Sequence, residues 1–185
     1  MGQTVERDIE VERYTGVFAH ETIKLYLYFF VGFLVPFSLG HPQYLVGTVV
    51  NATLILAAIE MGLSRKTLPL LFAPSLGVLA RGIIFGPLTP FLLIMLPFIW
   101  IGNALLVFVI SQLYQNKKKN YGIALGTAAG VKTGFLFSAA FALVSFSILP
   151  PLFLATMGLD QLLTAVAGGL LAIGLHKAGI TKLCF

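Results

Sequence analysis

The stretch 121-YGIALGTAAGVKTGFLFSAAFALV-144 decides how the chain is read. A helix needs roughly 20 apolar residues to cross a bilayer, and this segment is that long with one charge inside it, Lys132. Gly122, Gly126, Gly130 and Gly134 recur every four residues, and Ser138 and Ala142 continue the series. Residues four apart share a helix face. Small residues there let a second backbone come close where lipid supplies no hydrophobic force. The stripe therefore reads as a contact face, either for another helix of this chain or for a partner subunit.

Lys132 lies eleven residues beyond Tyr121, about 16 Å along a helix rising 1.5 Å per residue. That is near the middle of a hydrocarbon core about 30 Å thick. A lysine at this depth costs roughly 2.5–3.5 kcal/mol, and it points about 200° away from Gly130. It needs a carboxylate, carbonyls, water or a ligand on a second face. The run Gly130-Val-Lys-Thr-Gly134 looks like part of a phosphate loop, but its glycine spacing is too short and no strand precedes it.

Composition extends the argument to the whole chain. Hydrophobic residues make up 58% and charged residues 10%, and the mean hydropathy is +0.95. Soluble domains carry about a quarter charged residues. The apolar residues fall into six blocks: about 23–39, 44–63, 68–85, a fourth reaching Tyr114, 121–148, and a sixth ending at His176. The predicted fold is all-α, a polytopic membrane protein of six transmembrane helices. Residues 1–22 are expected as a cytoplasmic or interfacial lead-in, 23–177 as one transmembrane domain, and 178–185 as a short cytoplasmic tail.

The cations fit this count. Arg7, Arg13 and Lys24 precede or open the first block, Arg65 and Lys66 separate the second and third, Lys117 to Lys119 separate the fourth and fifth, and Lys177 and Lys182 follow the sixth. The three remaining connections have no lysine or arginine. Positive charge is retained in the cytoplasm, so both termini are placed there. The net charge of +5 thus reports topology, with attraction to anionic membrane lipid secondary and no nucleic-acid partner expected. Cys184 is the single cysteine, which permits no internal disulfide. No HExxH, paired histidines or cysteine cluster is present for a metal, and neither an enzyme nor a cofactor is expected.

Polar residues inside the blocks are candidates for a solute site. Asn51 sits seven residues into the second block, Asn103 deep in the fourth, and Asp160 and Gln161 open the sixth. Arg81 lies thirteen residues into the third, about 20 Å along a regular helix. Asn51, Arg81, Asn103, Lys132 and Gln161 form the predicted substrate-binding set, with Trp100, Phe98 or Phe91 available for stacking. Each amide has a structural alternative as a cross-link between helices, and Arg81 has one as a snorkelling cation. Glu60 is expected at the interface near Arg65 and Lys66.

In size and topology, and in "HPQYLVGTVVNATL", "IGNALLVFVI" and "MGLDQLLTAVAGGLLA", the chain resembles the S components of energy-coupling factor (ECF) vitamin transporters. The resemblance covers about 23–177. It implies a subunit of the prokaryotic plasma membrane that captures a vitamin-like small molecule on the outer side. A transmembrane T component and two cytoplasmic ATPases would then drive uptake. An Ala-xxx-Ala pattern common on the first helix of that family is missing from "IKLYLYFFVGFLVPFSL", so contact with a T component would use another face, such as the glycines of the fifth or sixth block. The alternatives from the residues alone are a stand-alone channel or proton-coupled carrier, and a noncatalytic membrane assembly subunit.

Overall fold

The computed structural model describes residues 21–39, 42–82 and 88–179, and every long element among them is helical. We label the helices α1 (Glu21–Ser38), α2 (Gln43–Glu60), α3 (Leu68–Arg81), α4 (Thr89–Ile110), α5 (Tyr121–Ser145), α6 (Leu152–Met157) and α7 (Leu159–Lys177). A π-helical turn, Ser111–Asn116, continues α4. Most of the expected lead-in and tail, and Cys184, lie outside the described residues.

Among the described residues, five helical units are long and apolar enough to cross a bilayer: α1, α2, α4 with its π turn, α5, and α6 with α7. This is the build of a multi-pass membrane protein. The third block differs from a full span. Its helix has 14 residues, about 21 Å at 1.5 Å per residue, against a core of about 30 Å. Pro69 starts it, and Gly82 ends it at φ +83, a backbone conformation that favours glycine. The sixth block is broken at Gly158, between α6 and α7.

Cross-helix contacts fix the directions. Tyr44 near the start of α2 donates to Asp160 near the start of α7 at 2.8 Å, and Glu60 ending α2 meets His176 near the end of α7 at 3.3 Å. These two helices run parallel. Tyr121, which starts α5, donates to the carbonyl of Gly169 in α7 at 2.6 Å, whereas Phe137 further along α5 abuts Gly158, so α5 is antiparallel to α7. Ser111 and Gln115 beyond α4 donate to the carbonyls of Ala58 and Ile59, which makes α4 parallel to α2. Lys24 near the start of α1 reaches Glu60. Consecutive units therefore alternate in direction, and the connections carrying Lys66 and Lys117 to Lys119 gather at the end of the bundle that holds Lys24 and His176.

Two apolar clusters fill the interior. One, towards the cation-bearing end, includes Leu54, Ile55, Leu106, Ile110, Ala124 and Ala128. The other holds Met95, Leu136, Ala140, Leu149, Phe153 and Met157. Lys132 lies between them on α5, as Asn103 does on α4. Many large apolar side chains instead cover the outside, among them Tyr26, Phe30, Phe141 and Leu170. Apolar exposure on that scale is unusual for a soluble monomer and suits a lipid-facing surface.

Helices α2 and α7 pack closely along their length. A Cβ on Gly168 would lie 2.7 Å from the carbonyl oxygen of Thr48 and 2.8 Å from the amide nitrogen of Ala52. One on Gly47 would lie 2.9 Å from Thr164 Cγ2. The α5 glycines behave differently from the intrachain contact face the sequence offered. Among the described residues, Gly126, Gly130 and Gly134 have nothing within 4 Å of a hypothetical Cβ, and Gly122 has only its neighbour Asn120 Oδ1 at 3.2 Å. All four are exposed. Lys132 is the reason: α5 turns its polar residue and Ala124, Ala128, Leu136 and Ala140 inward, which rotates the glycine row outward.

Candidate functional site

Lys132 is fully enclosed, 2% exposed. Its Nζ donates to Asn51 Oδ1 at 2.7 Å and to Asn103 Oδ1 at 2.9 Å. Both asparagines are as deeply buried as the lysine. With their oxygens turned to the cation, their amide nitrogens face away and donate in turn. Asn51 Nδ2 reaches Thr164 Oγ1 at 3.2 Å, and Asn103 Nδ2 reaches the Leu71 carbonyl at 3.3 Å. Thr164 Oγ1 donates to the Asp160 carbonyl at 2.8 Å. One polar network thus ties α2, α3, α4, α5 and α7 together at mid-height.

Small residues make the network possible. Gly47 and Gly168 let α7 close on α2 on both sides of Asn51. Gly102, next to Asn103, would place a Cβ 3.1 Å from Leu136 Cγ, so its lack of a side chain lets α5 approach α4. Removing any of these spaces would move an amide away from Nζ, whose bonds of 2.7 and 2.9 Å would lengthen beyond the usual range of about 2.7–3.2 Å.

The network forms one wall of a cavity of about 130 Å³. Asn51, Asn103, Lys132 and Gln161 all line it, together with Ser75. Four of the five predicted site residues are therefore brought together. The side-chain amide of Gln161 has no hydrogen-bond partner among the described residues. Ser75 Oγ accepts from Trp100 Nε1 at 2.9 Å.

Arg81 stands apart. It is exposed and donates to the carbonyls of Phe37 at 3.2 Å and Ser38 at 2.9 Å, the last turn of α1, where cations and donors are favoured. It caps a helix and does not reach the cavity. Arg81→Gln is accordingly expected to lower stability by no more than about 1 kcal/mol, the net worth of an exposed hydrogen bond or two. Solute binding should be unchanged. A thermal melt and a binding titration in detergent check both, and a tenfold loss of binding would return Arg81 to the site.

The aromatic residues proposed for stacking are likewise outside the cavity lining. Trp100 packs edge-on against Phe72 with centroids 5.0 Å apart, Phe98 lies beside Phe135, and Phe91 beside Phe153. Thr164 and Ser75 were not singled out in the sequence. A hydroxyl three residues after Gln161, on the same face of one helix, was the available signal for the first.

A second polar group lies at the cation-bearing end. Glu60 Oε2 accepts from Lys24 Nζ at 3.1 Å and Tyr28 OH at 2.9 Å, and Oε1 faces His176 Nδ1 at 3.3 Å. Its hydrogen-bond partners thus come from α1 and α7, and Lys66 approaches Glu21 at 3.6 Å. Among the described residues no group of three or more His, Cys, Asp or Glu side chains is placed to hold a metal ion.

Comparison with known proteins gives no match to a family model, to a curated protein or to a solved structure. The functional reading therefore rests on the chain's own chemistry.

Proposed function

We propose that this protein is the membrane-embedded solute-binding subunit of an importer of the ECF type. It would lie in the plasma membrane of a prokaryote, with six passes and both termini in the cytoplasm, and capture a vitamin-like small molecule from outside. The observation that carries this reading is the convergence of Asn51, Asn103, Lys132 and Gln161, from four helices, on one cavity. Buried polar and ionisable groups within a membrane protein mark solute or ion paths more often than packing defects. The clustering of cationic connections at one end of the bundle supports the orientation.

In this reading the chain binds, and partner subunits hydrolyse ATP. The exposed glycine face of α5 is the surface on which a transmembrane T component helix can approach closely, with two cytoplasmic ATPases beyond it. A self-contained carrier needs an acidic partner for Lys132, and the ion pairs among the described residues involve other groups.

Purified protein should retain a small molecule visible by native mass spectrometry, and the T component and ATPases should copurify. Gly130→Leu should abolish that copurification while leaving solute retention intact. Transport by proteoliposomes of this chain alone would overturn the assignment, and so would purification with neither solute nor partners.

A further inference from the structure

We infer that the solute is a compact monocarboxylate whose apolar body is about the size of a single ring, held with its carboxylate on Lys132. This rests on the solute-binding reading and adds the chemical class. Three independent features of the cavity lead to it.

The first is charge. The Lys132 ammonium is enclosed by two neutral amide oxygens. The carboxylates of α2 and α7 have partners elsewhere: Asp160 accepts from Tyr44 at one end, and Glu60 belongs to the group around Lys24 and His176 at the other. Amide dipoles solvate a cation without neutralising it, and a buried uncompensated charge is costly by several kcal/mol. An anion in the cavity supplies what the chain lacks.

The second is the balance of donors and acceptors. An ammonium has three protons, and two are used. Each asparagine nitrogen has a second proton beyond the one it donates. Ser75 accepts from Trp100, which leaves its own proton without an acceptor among the described residues. Gln161 brings an unused amide. The asparagine oxygens, by contrast, already face the lysine. The cavity wall is thus rich in donors, and a carboxylate is an acceptor at both oxygens.

The third is size and polarity. The cavity measures about 130 Å³, and a dry engineered cavity of about 150 Å³ holds benzene. Away from the polar wall its lining is aliphatic, with Val46, Val50, Val78, Leu92, Leu96 and Ile99. A ring fits that space, with its charged group turned to Lys132.

The test is a charge series on a constant ring: benzoate, benzamide and benzylammonium, with inorganic phosphate as an anion lacking the ring. Binding to the full chain in detergent is followed by calorimetry. Benzoate should bind about tenfold or more tighter than benzamide, the usual worth of a charge-assisted hydrogen bond. Benzylammonium and phosphate should not bind. Lys132→Met should erase the preference for benzoate over benzamide, though the wild-type series decides the matter even if that variant fails to fold. Equal or tighter binding of benzamide or benzylammonium would overturn the carboxylate assignment, and phosphate matching benzoate would overturn the ring. Absence of binding by all four also overturns the inference. The solute-binding reading falls with it only if the purified chain retains no molecule of its own.

Discussion

Gly168→Leu is expected to lower the stability of the bundle by roughly 3 kcal/mol, at the upper end of what overpacking a closed interface costs. At this position a new side chain meets backbone: the Thr48 carbonyl and the Ala52 amide are both under 3 Å from the first added carbon. Backbone cannot rotate aside as a side chain can, so α7 must move away from α2. That displacement also pulls Thr164 from Asn51, and Asn51 from Lys132. The matched control is Gly130→Leu, whose Cβ meets nothing within 4 Å among the described residues and which should stay within about 0.5 kcal/mol of wild type. Thermal or chemical unfolding of both variants in detergent measures the difference. If Gly130→Leu proved the more damaging, the outward placement of the α5 glycines would be wrong.

Glu60→Leu should cost on the order of 3 kcal/mol, because it leaves a mostly enclosed Lys24 without its counter-ion. The side chains of Lys24 and Glu60 are only 13% and 9% exposed, so water screens this pair less than an ordinary surface bridge, whose worth is about 0–1 kcal/mol. The carboxylate also accepts from Tyr28 and meets His176, so it joins α1, α2 and α7 at one point. Adding Lys24→Met to Glu60→Leu should recover part of the loss, since removing both charges is less harmful than stranding one. Unfolding of the two single variants and the double variant gives the coupling directly. A single-variant loss below about 0.5 kcal/mol would mean that the cluster is effectively solvated.

The position of Lys132 shows how far residue patterns reach. Its depth followed from counting along a helix, and its separation from the glycine row followed from 100° per residue. Its partners did not follow, because many neutral or acidic groups at similar depth would have served equally. Asn51 and Asn103 were visible as polar residues in apolar blocks. That their oxygens meet at one nitrogen depends on Gly47, Gly102 and Gly168 drawing four helices together. Arg81 illustrates the reverse. Its depth resembled that of the others, yet it faces the last carbonyls of α1, because α3 ends at Gly82 and leaves its last turn exposed.

The amino-acid sequence by itself determined that this is an all-helical chain built from bilayer-length apolar segments. It also determined that the cations found in connections fall in alternate ones, and that α5 carries a small-residue face distinct from Lys132. These properties are periodic or compositional, and they survive without knowledge of any neighbour. Tertiary structure alone decided which way α5 is rotated, which glycines touch backbone, and which polar residues share a cavity. Those outcomes depend on helix packing. A face can be read from spacing within one helix, but whether it turns inward is settled by the helices that compete to cover it.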